Sequence, residues 1–208
     1  VVSGRPDPAR SLASMGDTRE ELESFRDATV PDLLGPGLML LFVGINPGLW
    51  TAATLTHFAH PGNRFYPALL RAGIIDRHID RTRGMTDDDR RYLIERGLGI
   101  TNLVARATPK ASELTPAELQ AGGIRLRGLI AECRPRVVAV AGVTAYRSAF
   151  GEPSARLGRQ AVGIGVAGEY EAELWIVPNP SGLNAHETID SLALAYREPA
   201  VAAGVIAA

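Results

Sequence analysis

The chain has 208 residues, 46% of them hydrophobic and 22% charged, with a formal net charge of −1 and a pI near 6.5. That length suits one domain with a substantial core, and the charge balance excludes a generally basic nucleic-acid coat while leaving a local basic stripe open. A single cysteine, Cys133, excludes an internal disulfide framework or a cysteine-ligated cluster.

No apolar run approaches the roughly 20 residues that span a bilayer. The opening "VVSGRPDPAR" lacks the charged-then-apolar order of a signal peptide, so a cytosolic protein is expected. Positive charge is almost all arginine, with Lys110 the one lysine.

In chain order, residues 1–30 read as a partly flexible N-terminal extension, and residues 31–208 as the domain proper. Within the extension, "DTREELESFRDA" predicts a short surface helix opening at the N-cap Asp17. Pro31 and the "GPG" at 35–37 introduce the first strand. Strand-like apolar runs then fall at 38–44, 98–104, 136–142 and 173–179. Helical patterns lie between them at "NRFYPALLRAG", "TDDDRRYLIERG", "TPAELQAGGIRLRGLIAECR" and "VTAYRSAF". "TDDDRR" is an N-cap with an acidic first turn, not a pair of catalytic carboxylates. The last pattern, "ETIDSLALAYREPAVAAGVIAA", is expected to kink or divide at Pro199.

Near-continuous apolar strands alternating with helices imply parallel strands covered on both faces. The expected fold is α/β: a three-layer α/β/α sandwich with a mainly parallel central sheet. "GIGVAG" at 163–168 matches a dinucleotide-binding pattern in form. It leads into "EYEAELWIV", a strand and not a helix, so a hairpin is expected there.

Two strands break into the same dipeptide. "LLFVGINPG" ends in Asn46-Pro47-Gly48, and "LWIVPNPSGLNAH" in Asn179-Pro180-Ser181-Gly182. Open parallel sheets bind ligands outside the carboxyl ends of their strands, so both amides could line one crevice. Pro47 biases Asn46 toward an extended conformation, from which its side chain projects and could orient a water. The plainer reading is an Asx turn. Leu183, an apolar side chain among polar neighbours, reads either as a hydrophobic staple to the following helix or as a wedge for a base stack.

"GINPG", "FAHPGNRFY" and "NPSGL", in this order and spacing, resemble the mismatch-specific uracil/thymine DNA glycosylases of the uracil-DNA glycosylase superfamily, over about Pro31 to Arg197. The resemblance implies a monofunctional enzyme of base excision repair. It would flip a base from mismatched duplex DNA, cleave its N-glycosidic bond without metal or cofactor, and leave an abasic site. Asn46 would hold the water that attacks C1′. Phe58 would stack on the base, with backbone groups of Ile45 and Phe58 at its edge. Gly48, Asn179 and Ser181 would complete the base pocket. Gly182, Leu183, Asn184, Ala185 and His186 would fill the duplex and read the orphaned base.

Uracil-specific relatives carry aspartate, tyrosine and histidine where this chain has Asn46, Gly48 and Asn179. A slow, permissive enzyme is therefore expected, accepting uracil, thymine or ethenocytosine. Several relatives follow Gly-Leu with Ser-Arg; this chain has Asn184-Ala185-His186, which weakens the expectation of strict selection for an opposite guanine. Asn102, where relatives carry a lysine, is given a supporting role only.

Arg64 and Arg106, ahead of Arg125 and Arg127, are the candidate phosphate contacts. His57, His60, His186 and Cys133 do not form ligand pairs of metal-site spacing, so the histidines are expected to hydrogen-bond loop backbone. The expected partner is double-stranded DNA with a mismatched or damaged base, bound by a monomer and no membrane. Two other classes stay open: a mismatch-binding DNA module without turnover, and a small-molecule enzyme acting on nucleosides.

Overall fold

In the computed structural model, which describes residues 19–208, the four apolar runs contribute four parallel strands to one sheet, with β2 at its edge. They are β1 (Leu40–Gly44), β2 (Leu98–Asn102), β3 (Val137–Ala141) and β6 (Tyr170–Val177). Two short strands, β4 (Gly158–Arg159) and β5 (Ile164–Val166), pair antiparallel with β6. The β5–β6 pair is the hairpin expected from "GIGVAG". The main path of the sheet runs β2-β1-β3-β6-β4.

Strand side chains alternate between faces. Leu40, Phe42, Ile100 and Ala139 pack on one side against α3 (Phe65–Arg71), α4 (Asp87–Glu95) and α7 (Ile189–Ala203). Leu41, Val43, Val138 and Val140 pack on the other side against α5 (Pro116–Cys133) and α6 (Val143–Phe150). The result is the three-layer α/β/α sandwich. The cap expected at Thr86 begins α4, and Thr115 begins α5 in the same way: each accepts from the backbone three residues on in a capping box.

Not every element follows expectation. The last helix runs unbroken through Pro199, because Tyr196, Ala200 and Ala203 are fully buried, and that packing outweighs one lost backbone hydrogen bond. A short helix, α2 (Leu49–Thr54), follows "GINPG" without any side-chain cap. The expected N-terminal helix is present as α1 (Arg19–Glu23), while its proposed cap, Asp17, lies outside the described residues. The chain just before Pro31 also packs into the body. Asp27 N–H donates to Ala107 O at 3.0 Å, Ala107 N–H donates to Ala28 O at 2.9 Å, and Val30 is buried.

Candidate active site

Connections leave β1 and β3 toward opposite faces of the sheet: β1 continues through α2, α3 and α4, and β3 through α6. This divergence opens a crevice at their carboxyl ends. It measures roughly 850 Å³ and draws its walls from the ends of all four parallel strands: Gly44 to Gly48, Asn102, Ala141 and Asn179. That volume lies within the roughly 300–1,000 Å³ of ligand sites. Among the described helices none is long and apolar enough to cross a membrane.

The loop after β2 runs beside the loop after β1. Leu103 N–H donates to Gly44 O, Val104 N–H to Ile45 O and Thr108 N–H to Pro47 O, at 2.9, 2.9 and 3.1 Å. Asn46 sits between these loops. Its Nδ2 donates to Pro47 O (3.1 Å), Arg106 O (3.0 Å) and Thr108 Oγ1 (2.7 Å). The two carbonyls can only accept, so the amide orientation follows, and Oδ1 is the end left for the crevice. The Asx turn proposed for Asn46 is absent. It occurs at Asn179 instead, whose Oδ1 accepts from Ser181 N–H at 3.0 Å, leaving Nδ2 as a donor.

Asn102, expected to have a supporting role, lines the crevice. His57, 1% exposed, lies with Nε2 3.0 Å from Pro31 O and Nδ1 3.1 Å from Asn102 Nδ2. Burial lowers its pKa below the ordinary value of 6.5, favouring a neutral ring. Nε2–H then donates to Pro31 O, Nδ1 accepts from Asn102 Nδ2, and Asn102 Oδ1 is turned toward Gly44. A Cβ at Gly44 would run into that oxygen and stand 3.2 Å from the Phe58 ring, so only glycine fits there.

Phe58 stacks one face on Phe65, with ring centroids 4.1 Å apart and planes inclined by 27°. It also lines the crevice, and its backbone is held at φ 56°, a conformation that costs about 1 kcal/mol for a non-glycine residue. Above Gly48 no atom stands within 4 Å of where a Cβ would lie. As expected of loop histidines, His57 and His60 both bond backbone; His60 Nδ1 accepts from Gly62 N–H at 3.1 Å.

Ser181, Gly182, Leu183 and Asn184 reach the crevice, whereas Ala185 and His186 lie beyond it, exposed. Leu183 is 88% exposed, which rules out the hydrophobic staple.

Two expected phosphate contacts are otherwise engaged. Arg106 is shared between Asp27 (2.8 Å) and Glu118 (2.9 Å), and its hydrogen bond holds the Glu118 carboxyl down at about 2. Arg64 donates to loop carbonyls instead. The cation on the crevice rim without an ion-pair partner among the described residues is Lys110, in the loop after β2. A lone lysine in a loop carries no spacing signal, and sequence reasoning passed over it. Thr108, the anchor of Asn46, was missed for the same reason.

A mainly parallel open sheet, with a crevice outside the carboxyl ends of its strands lined by the amides of Asn46, Asn102 and Asn179 and by Phe58, places the chain in the α/β class with its candidate site at the switch point. A family model for the uracil DNA glycosylase superfamily matches residues 31–200. The chain belongs to the uracil DNA glycosylase superfamily, and so to the hydrolases that cleave bases from DNA. Among solved structures it is similar to the solution NMR structure of a candidate uracil DNA glycosylase from Methanosarcina acetivorans, at 15% identity and a TM-score of 0.49, covering 82% of this chain and 96% of that one.

Proposed function

We propose that this chain is a monofunctional, mismatch-directed DNA glycosylase. It swings uracil, and more slowly thymine or ethenocytosine, out of a duplex and hydrolyses the bond to C1′. The observation that carries this reading is the orientation of Asn46: its Nδ2 is fully engaged by Pro47, Arg106 and Thr108, so the crevice receives only the accepting oxygen. An acceptor of this kind can hold a water with its lone pair directed at C1′.

As the water oxygen bonds to C1′, the C1′–N bond breaks and its electron pair leaves with the base. The proton shed by the water balances the charge of the departing base anion. Asn179 Nδ2 supplies a fixed donor on the second wall for that anion. Among the described residues no carboxylate lines the crevice to stabilise a cationic sugar, which supports slow chemistry. Extrusion is cheapest at a mismatch, which favours U·G and T·G over normal pairs. Leu183, held out in solvent, is the group that would fill the vacated stack.

A U·G duplex labelled on the uracil strand, incubated with enzyme and then treated with alkali, tests the proposal. Strand cleavage by the wild type and its loss in Asn46→Ala are expected. Tight mismatch binding with an intact strand after long incubation would instead mark a binding module without turnover. Release of uracil from free deoxyuridine alone would mark a nucleoside enzyme.

A further inference from the structure

Arg64 precedes α3 and lies half-buried against the 179–187 loop. Its backbone N–H donates to Pro180 O at 3.0 Å. Its Nη2 donates to Ser181 O at 2.6 Å and to Asn184 O at 2.8 Å, and its Nη1 donates to Glu187 O. Nε is buried and has no partner among the described residues. A phosphate is gripped by an exposed guanidinium edge. Here three of the five N–H donors are committed to loop carbonyls and Nε–H is buried, which leaves a single Nη1–H outside that set.

The loop itself is drawn inward around this cation. Asn184 N–H donates to Ser181 O at 2.9 Å, and Asn184 Nδ2 donates to Asn179 O at 3.1 Å. A Cβ on Gly182 would stand 2.7 Å from Gly62 O, so the loop is seated directly on the turn that precedes Arg64. Leu183 projects from this ring, 88% exposed and without a core to anchor it. What order it has comes from the ring beneath it.

We propose that Arg64 is a positioning residue for base extrusion. By gathering the carbonyls of Ser181, Asn184 and Glu187 on one guanidinium, it sets Leu183 in its inserting position before DNA arrives. The ordering of the loop is then complete in the free protein and is not charged against extrusion. A lysine cannot replace it, because a single ammonium lacks the planar fork that spans several carbonyls. The inference rests on the base-extruding reading above.

Full-length wild type, Arg64→Lys and Arg64→Gln are compared in three measurements: amide hydrogen exchange over 181–187, uracil release from a U·G duplex at saturating enzyme, and duplex affinity as a function of salt. Both variants are expected to exchange faster across the loop and to lose about tenfold or more in saturating rate, with affinity changed by less than about twofold. The slope of log affinity against log salt should match the wild type in both.

The proposal is overturned if Arg64→Gln flattens that slope by about 0.9 and Arg64→Lys restores both slope and rate, the behaviour of a phosphate contact. It is equally overturned if loop exchange and rate stay at wild-type values. Should Arg64→Gln not fold, Arg64→Lys alone decides through exchange and slope. A wild type that releases no base from any duplex removes the glycosylase reading, while loop exchange still reports whether Arg64 orders the loop.

Discussion

Asn46 and Asn179 turn opposite ends of the same functional group into one crevice. Asn46 has its nitrogen engaged and its oxygen free; Asn179 has its oxygen engaged by Ser181 N–H and its nitrogen free. Two neutral side chains thus provide one acceptor and one donor to the same crevice. Removing the acceptor by Asn46→Ala is expected to lower single-turnover uracil release by about 10²-fold or more, measured on a U·G duplex.

The aspartate of uracil-specific relatives would not simply be an improvement at this position. In Asn46→Asp a carboxylate would face the carbonyls of Pro47 and Arg106, which now accept from the amide. Loss of those bonds should destabilise the fold by about 1–3 kcal/mol. A thermal melt is expected to show a lowered Tm without a gain in rate.

Thr108 holds Asn46 from the other side, accepting from its Nδ2 at 2.7 Å while donating to Lys110 O at 2.9 Å. Thr108→Val keeps the shape and removes the acceptor. The amide then loses its best partner, and the rate constant at saturation should fall about 10- to 100-fold with KM little changed.

His57 makes stability depend on pH in a defined direction. Burial lowers its native pKa below the 6.5 of the unfolded chain, so the native state refuses a proton that the unfolded chain accepts. Its contribution is complete above pH 6.5 and declines as pH falls from there toward the lowered native value. In Tm measured from pH 8 to 5, the gap between wild type and His57→Asn should therefore narrow below pH 6.5. A gap that stays constant would mean that His57 does not titrate differently in the two states.

Leu183 is so exposed that truncating it should leave Tm within about 1 °C of wild type. Its loss should instead appear on DNA. Leu183→Ala is expected to cut uracil release from duplex about tenfold or more and to spare release from single strands, where no stack must be filled.

Much of the fold could be read from residue pattern. Three of the four parallel strands lie within the apolar runs, since strands buried on both faces have no reason to alternate, while β6 begins three residues before its run, where burial alternates; Thr86 announces its helix by capping chemistry. Helix α2 escaped because six residues behind an uncapped Gly48 leave no periodic signature. Pro199 does not divide α7, because its local cost says nothing of the burial that offsets it. In the site, Asn46 and Asn179 were legible as polar residues ending apolar strands. The way each amide turns was not, because Arg106 and Thr108, about sixty residues from Asn46, decide it. The partners of Arg64 and Arg106 were not legible for a related reason: a guanidinium looks the same in sequence whether it faces a phosphate, a carboxylate or a loop carbonyl.

The lone lysine of the chain, Lys110, stands at the mouth of the crevice. Every side-chain amine the molecule possesses is therefore in one spot, beside the opening through which a nucleotide would enter. Acylation or reductive methylation at lysine becomes a footprint of that opening alone, and a fluorophore coupled there would report its occupancy without engineering a handle.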